Sequence, residues 1–211
     1  MTSVEPFAAD GVAGWLHLPD RPDGRGIVLT HGAGGNCEAP LLRAAAALFA
    51  EAGLAALRCD LPFRQRRPKG PPSPSGAAAD RDGLRRAVVA LRTRVAGPIA
   101  MGGQSYGGRQ ATLLAAEAPQ LAAALLLFSY PLHPPGKPER RRTEHFPRLA
   151  RPCIFVHGSA DPFATLAELR AAIALIPGGS ELIAVDGAGH DLKRGRFDLA
   201  PVVAALGRAL G

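Results

Sequence analysis

The serine at position 105 stands in the sequence pattern that a nucleophilic hydroxyl requires. It lies in the run GQSYGG (residues 103–108), which follows the apolar stretch Pro98–Gly102 and precedes the helical pattern Arg109–Ala118. A G-x-S-x-G run between a strand and a helix forms a tight turn that presents the serine at the edge of a sheet. Larger residues in place of these glycines would collide where the strand folds back into the helix. The pattern therefore predicts that Ser105 is a nucleophile.

A serine hydroxyl needs a neighbouring base, and histidine is the usual one. Of the six histidines, His190 lies in the small-residue loop VDGAGHD (residues 185–191), directly after the last predicted strand. Small neighbours would let its imidazole swing over the sheet edge toward Ser105. His31 and His157 each end an apolar strand before a glycine, so we interpret both as structural. The other histidines, on the first strand or in an irregular segment, are His17, His133 and His145.

A carboxylate must orient this histidine and stabilise its charged form. Asp161, in the run VHGSADPF (residues 156–163), follows the second-last predicted strand and is the residue that we predict for this role. Asp60, at the end of an earlier strand, is the alternative. Asp186 and Asp191 flank the histidine so closely that a good hydrogen bond to its Nδ1 is geometrically awkward.

A glycine-rich segment follows the first long apolar run. The run HGAGGN (residues 31–36) could wrap around the nucleophile and direct a backbone N–H at a developing oxyanion. We predict that the oxyanion hole consists of the backbone N–H groups of Ala33 and of Tyr106, the residue after the nucleophile. The segment lacks the Walker lysine and the G-x-G-x-x-G spacing, so a nucleotide site is not indicated.

Short apolar runs alternate with helical patterns along the whole chain. Strands alternating with helices of ten or more residues imply a mostly parallel sheet covered on both faces. The sequence therefore predicts one domain, residues 1–211, with a three-layer α/β/α sandwich fold and little or no cap. The predicted strands are 14–18, 26–30, 54–61, 98–102, 121–130, 153–157 and 181–185. The predicted helices are 41–53, 80–95, 109–118, 165–176 and 197–210.

Composition excludes several classes of protein. The longest apolar run, residues 121–128, has eight residues, whereas a membrane-spanning helix needs about 20. The first residues lack the basic start and apolar core of a secretory signal, so we expect a cytoplasmic protein. Cys37, Cys59 and Cys153 are an odd set without metal-ligand spacing, and we interpret them as reduced thiols. We expect neither a metal nor an organic cofactor.

The chain is basic, with 25 Lys and Arg against 18 Asp and Glu and a net charge of +7. Such a charge is compatible with nucleic-acid binding. No zinc signature or aromatic-rich RNA-binding strand accompanies it, and 22 of the 25 bases are arginine. An arginine-rich composition explains the charge, and nucleic acid is not the partner that we expect.

Two Pro- and Arg-rich segments, Phe63–Ala79 and Pro131–Arg151, interrupt the alternation and are predicted to be loops or short lids. Both leave strand carboxyl ends, which in a parallel sheet is the edge where ligands bind. We therefore predict a basic rim that binds an anionic substrate group, because arginine suits carboxylates and phosphates. A solvated basic surface is the alternative. The first segment carries Arg64, Arg66, Arg67 and Lys69, and the second contributes Arg140, Arg141 and Arg142 as the predicted substrate-binding residues.

Four segments occur in the order found in α/β-hydrolases: the residue 31–36 loop, the Ser105 turn, the Asp161 loop and the His190 loop. From Gly26 to the last helix the chain resembles that superfamily, and specifically its small dienelactone hydrolase-like and KANL3/Tex30-like branch. The resemblance implies hydrolysis of an ester or ester-like bond in a small molecule through an acyl-serine intermediate. Dienelactone hydrolases proper use cysteine, so the serine departs from that reaction. Acyl transfer, a catalytically silent interaction module and a basic nucleic-acid-binding protein remain as alternatives.

Overall fold

The computed structural model describes residues 1–193 and 197–211, and an eight-stranded sheet runs through the described chain. The strands are β1 Ser3–Ala9, β2 Val12–Leu18, β3 Gly26–Thr30, β4 Ala55–Cys59, β5 Ile99–Gln104, β6 Ala124–Phe128, β7 Cys153–Gly158 and β8 Ser180–Val185. Their order in the sheet is β1-β2-β4-β3-β5-β6-β7-β8. The pairs β1–β2 and β2–β4 are antiparallel, and every later pair is parallel.

Helices cover both faces of this sheet. They are α1 Pro40–Glu51, α2 Pro62–Arg66, α3 Ala77–Arg92, α4 Tyr106–Glu117, α5 Leu166–Ile173 and α6 Ala200–Leu210. Successive residues of a strand point to opposite faces. In β3, Ile27 and Leu29 accordingly pack with the buried residues of α1 and α6, whereas Val28 packs with those of α3, α4 and α5. These two apolar layers confirm the predicted three-layer α/β fold with a mostly parallel sheet.

Local sequence signals account for where several helices begin. Proline occupies the first or second position of α1, α2 and α6, where its missing N–H has no intrahelical acceptor to lose. Helix α5 begins with a capping box, in which Thr165 and Glu168 each accept a hydrogen bond from the backbone N–H of the other. None of the helices in the described residues combines the length and the apolar character that a membrane span needs.

Two segments differ from the prediction. Strand β1 was not expected, because Phe7 is its only buried residue and the segment shows no apolar alternation. Phe63–Ala79 is not wholly irregular: α2 covers its start, a 3-10 helix spans Pro74–Gly76, and α3 begins at Ala77. Pro74 begins the 3-10 helix, whereas Pro68, Pro71 and Pro72 lie in the irregular part of the segment, as predicted. Pro131–Arg151 is irregular apart from a 3-10 helix at Phe146–Arg148.

Candidate active site

Ser105 occupies the sharp turn between β5 and α4, with φ 50° and ψ −112°. A residue with a side chain rarely adopts a positive φ, and such strain concentrates at functional sites. The turn requires glycine neighbours because the backbone approaches itself closely. A Cβ at Gly103 would lie 2.1 Å from the carbonyl oxygen of Thr30, and one at Gly107 would lie 2.6 Å from that of His31. The packing of β3 against the turn thus enforces the predicted motif.

The structure brings Ser105, His190 and Asp161 into one chain of hydrogen bonds. The Oγ of Ser105 lies 2.8 Å from Nε2 of His190. The Nδ1 of His190 lies 2.8 Å from Oδ2 of Asp161. In this arrangement Nδ1–H donates to the carboxylate, which leaves Nε2 to accept the serine proton.

The carboxylate of Asp161 is buried and held in place. Its Oδ1 accepts a hydrogen bond from the backbone N–H of Phe163 at 2.9 Å. The Phe163 ring stacks on the imidazole of His190, with ring centroids 4.1 Å apart. His157 lies beside the same carboxylate at 3.6 Å, but burial lowers the pKa of His157. A neutral His157 donates from Nε2 to the carbonyl of Ala164 at 3.1 Å. The negative charge of Asp161 therefore acts on His190.

The other acidic candidates contact different groups. Asp60 accepts from the backbone N–H of Cys37 at 2.7 Å and lies 3.4 Å from Nε2 of His31. The Asp186 carboxylate accepts from the hydroxyl of Ser159. The Asp191 carboxylate accepts from the backbone N–H of the residue two positions later. Of the four acids considered from sequence, Asp161 is the one that bonds to His190 in the described chain.

The glycine-rich loop after β3 passes next to Ser105. A Cβ at Gly32 would lie 3.5 Å from the Cβ of Ser105. The carbonyl oxygen of Gly32 accepts from Nδ1 of His31 at 2.9 Å, while Nε2 of the same ring accepts from the N–H of Leu61. Because C=O and N–H of a trans peptide point in opposite directions, the Ala33 N–H points away from the His31 ring.

The second predicted oxyanion donor lies at the start of α4. Tyr106 is its first residue, and N–H groups in the first turn of a helix have no intrahelical acceptor. Ala33, Ser105 and Tyr106 line one cavity. The structure thus brings both predicted donor residues next to the serine.

Sequence reasoning missed the role of Arg64, which it placed on the exposed basic rim. The structure buries this side chain to 5% exposure. Its guanidinium donates to the carbonyls of Gly35 at 2.7 Å, Ala33 at 2.9 Å and Gly70 at 3.1 Å. Arg64 therefore connects the glycine-rich loop after β3 to α2. Its place in the segment that follows a strand is the one available sequence signal, and the exposed Arg66 nearby shares it.

Asp80 is a second residue that sequence reasoning missed. Its fully buried carboxylate accepts from the backbone N–H of Phe63 at 2.9 Å and from the hydroxyl of Tyr106 at 2.7 Å. Burial and, next to it, the hydrogen bond to Asp80 raise the pKa of Tyr106 above its ordinary value. Asp80 thus connects the start of α2 to the residue that follows Ser105.

Two cavities border Ser105. The first, of about 750 Å³, is lined by His190, Leu41, Leu192 and Phe197 among others. The second, of about 470 Å³, is lined by Arg109 and Arg142 among others. Ala33, Ser105 and Phe163 line both.

The predicted rim arginines divide into two groups. Arg142 is half-buried and lines the second cavity, whereas Arg140 and Arg141 are exposed and line neither of the cavities beside the serine. Across residues 1–193 and 197–211, no group of three or more His, Cys, Asp or Glu side chains is arranged to hold a metal ion.

Comparison with known proteins is consistent with this geometry. A family model described as an alpha/beta hydrolase domain matches residues 23–199. TT1662 from Thermus thermophilus superposes with a TM-score of 0.75 at 22% identity, covering 100% of this chain and 98% of that one. A dienelactone hydrolase from Anabaena variabilis gives a TM-score of 0.69 at 22% identity, with 99% and 95% covered. An alpha/beta serine hydrolase without a lid from Xanthomonas campestris gives 0.71 at 16% identity, with 99% and 93% covered.

Proposed function

Because this chain belongs to the alpha/beta hydrolase family, we propose that it is a serine hydrolase that cleaves an ester or ester-like bond, such as a carboxylic ester, a thioester or a lactone. The observation that carries the proposal is the unbroken Ser105–His190–Asp161 chain, with both hydrogen bonds at 2.8 Å. A hydroxyl becomes an effective nucleophile when a positioned base takes its proton during attack.

In the proposed reaction, Ser105 Oγ attacks the substrate carbonyl carbon while His190 Nε2 takes the hydroxyl proton. Asp161 stabilises the resulting imidazolium through its bond to Nδ1. His190 then passes the proton to the leaving group, and an acyl-serine remains. A water molecule repeats the sequence and releases the acid.

The negative charge that develops on the carbonyl oxygen needs preorganised donors. We assign this role to the backbone N–H groups of Ala33 and Tyr106. His31 and Arg64 donate hydrogen bonds to carbonyl groups of the loop that carries Ala33. These bonds restrict the conformations of that loop and so support the assignment. The positive end of the α4 dipole at Ser105 adds to the stabilisation.

The names of similar structures support the same class of chemistry. One is called a dienelactone hydrolase and another a serine hydrolase without a lid. A lactone is a cyclic ester, and its opening by a serine hydroxyl follows the steps above.

The test combines covalent labelling with a panel of 4-nitrophenyl esters of graded acyl length. A fluorophosphonate should add one label, and Ser105→Ala should abolish both labelling and hydrolysis. Ser3→Ala, in the exposed part of β1, is the matched control and should behave as the wild type. Loss of the nucleophile in a triad enzyme costs orders of magnitude.

Two results would contradict the proposal. Turnover of Ser105→Ala within a few-fold of the wild type would exclude an acyl-serine at this position. Absence of both labelling and turnover in the folded wild type would favour a catalytically silent interaction module. Product analysis with an added alcohol or amine separates hydrolysis from acyl transfer, because a transferase would form the new ester or amide in preference to the free acid.

A further inference from the structure

The second cavity beside Ser105 contains two cationic side chains, and we call it the arginine cavity. Arg109 comes from α4 and Arg142 from the irregular segment after β6, so two distant parts of the chain contribute one guanidinium each. Its volume is about 470 Å³, and Pro71, Pro72, Pro74, Ser105 and Gln110 are among the other residues that line it.

Neither guanidinium of this cavity has an ion-pair partner in the part of the chain that the structure describes. No carboxylate lies within salt-bridge distance of either guanidinium there. Burial and the neighbouring charge of Arg109 lower the pKa of Arg142. Two like charges held together without a counter-ion repel each other, and an entering anion would relieve that repulsion.

Two residues that line the cavity each carry a donor without an acceptor. The Nε of Arg109 and the Nε2 of Gln110 are buried and make no hydrogen bond within the described residues. The Oε1 of Gln110 accepts a hydrogen bond from Arg81 at 3.3 Å. The Nη1 of Arg142 donates to the carbonyl of Pro131 at 3.1 Å and so anchors that side chain. Buried donors without an acceptor are costly and rare in native proteins.

We propose that the arginine cavity binds a carboxylate carried by the acyl part of the substrate. This inference rests on the proposed serine hydrolase function and specifies its substrate class. Arginine fits the task because its planar fork donates two parallel hydrogen bonds to a carboxylate. Prolines 71, 72 and 74 line the cavity, and a carboxylate bound against their apolar rings would contact less water.

The position of His190 assigns the cavity to the acyl group rather than to the leaving group. His190 must reach the leaving oxygen to protonate it, and His190 lines the first cavity but not the arginine cavity. The group that remains bonded to Ser105 therefore occupies the arginine cavity. Attack by Ser105 breaks the bond to the leaving oxygen, which takes the proton from His190. Water then releases the acyl group as a dicarboxylic acid.

The test compares two esters that differ only at the far end of the acyl chain. Mono-4-nitrophenyl adipate ends in a carboxylate and 4-nitrophenyl hexanoate in a methyl group, with the same leaving group and six acyl carbons. The wild type should prefer the adipate ester in kcat/KM by about tenfold or more, the scale of a charged hydrogen bond. Arg109→Gln and Arg142→Gln should each remove most of that preference, mainly through KM.

Arg148→Gln is the matched control, since this exposed arginine lies on the same irregular segment and lines neither cavity. It should keep the preference. Free adipate should also inhibit hexanoate hydrolysis by the wild type more strongly than free hexanoate does, a measurement that needs no variant to fold.

Equal kcat/KM for the two esters in the wild type would overturn the proposal, and so would a preference that survives in both arginine variants. If Ser105 is labelled and the hexanoate ester is hydrolysed without any preference for adipate, the carboxylate site alone is refuted. If neither ester is hydrolysed and Ser105 is not labelled, the hydrolase function fails as well.

Discussion

The guanidinium of Arg64 holds the carbonyl oxygen of Ala33 through a 2.9 Å hydrogen bond across 31 residues of sequence. The same group holds the carbonyl of Gly35 at 2.7 Å. The loop that carries one proposed oxyanion donor is therefore shaped by a buried charge on α2.

Replacing Arg64 should lower kcat more than it changes KM. Arg64→Gln removes most of the donors that hold the loop, and loss of one oxyanion donor costs about 100- to 1000-fold. We expect a donor that is displaced rather than removed to lower kcat by about 10- to 100-fold. Steady-state kinetics on a neutral ester checks this, with Arg66→Gln on the same helix as an exposed control.

Thermal unfolding of both variants separates positioning from general destabilisation. A folded Arg64→Gln protein with unchanged kcat would show that the loop keeps its shape without the guanidinium. Arg64→Lys keeps the charge but lacks the planar fork, so it should recover only part of the lost rate.

Replacing Asp161 by Asn should abolish most of the activity. The amide would favour the wrong tautomer of His190, a change that lowers kcat by about 10⁴-fold in a serine protease. Asp60→Asn is the matched comparison, because it keeps an oxygen acceptor for the Cys37 N–H and lies away from His190. It should leave kcat within a few-fold of the wild type. The opposite ranking of the two variants would make Asp60 the orienting acid.

Stability should fall as the pH drops from 6.5 to about 4, partly because of His17. Its Nε2 accepts from Nε of Arg58 at 2.9 Å. Burial, and next to it the Arg58 charge, lower the pKa of His17 from 6.5 to about 4. Between pH 6.5 and about 4, His17 is protonated in the unfolded chain but neutral in the folded chain. The free energy of unfolding therefore decreases as the pH falls through this range. The loss reaches on the order of 3 kcal/mol near pH 4.

Urea unfolding at several pH values measures this slope in the wild type and in His17→Gln. The glutamine keeps an acceptor for Arg58 but does not titrate, so the variant should lose less stability between pH 6.5 and 4. His145, whose pKa burial also lowers to about 4, supplies a second contribution that remains in this variant. Identical pH dependence in both proteins would contradict the role of His17.

The exposed arginines should steer an anionic ester rather than hold it. For the adipate ester, Arg140→Gln/Arg141→Gln should lower kcat/KM at 0.01 M salt, where the Debye length is about 30 Å, and have little effect at 0.1 M, where it is about 10 Å. The loss in Arg142→Gln should persist at both salt concentrations, because contacts inside a cavity are screened less. If kcat/KM of the double variant is unchanged at low salt, these two arginines are solvated surface residues that do not steer the substrate.

The alternation of strands and helices was predictable because it depends on local patterns. The runs around Gly26–Thr30 and Ala124–Phe128 are apolar along their whole length, as buried parallel strands require. The turn at Ser105 was equally visible, since the close approach of β3 permits only glycine beside it. Strand β1 was not predicted, because it is a strand through its pairing with β2 and not through an apolar pattern of its own.

The partners of individual polar side chains depended on contacts between distant segments. In sequence, Arg64 is indistinguishable from Arg66, yet Arg64 is buried against the glycine-rich loop after β3 and Arg66 is exposed. Asp161 and Asp60 both follow strands, and the sheet order decides which of them reaches His190. Hydrophobic periodicity and glycine spacing therefore determined the fold class and the turn that presents Ser105, because they act within a few residues. The tertiary structure decided which charges are buried, which acid contacts His190 and which arginines share a cavity with Ser105, because each of these depends on residues far apart in the chain.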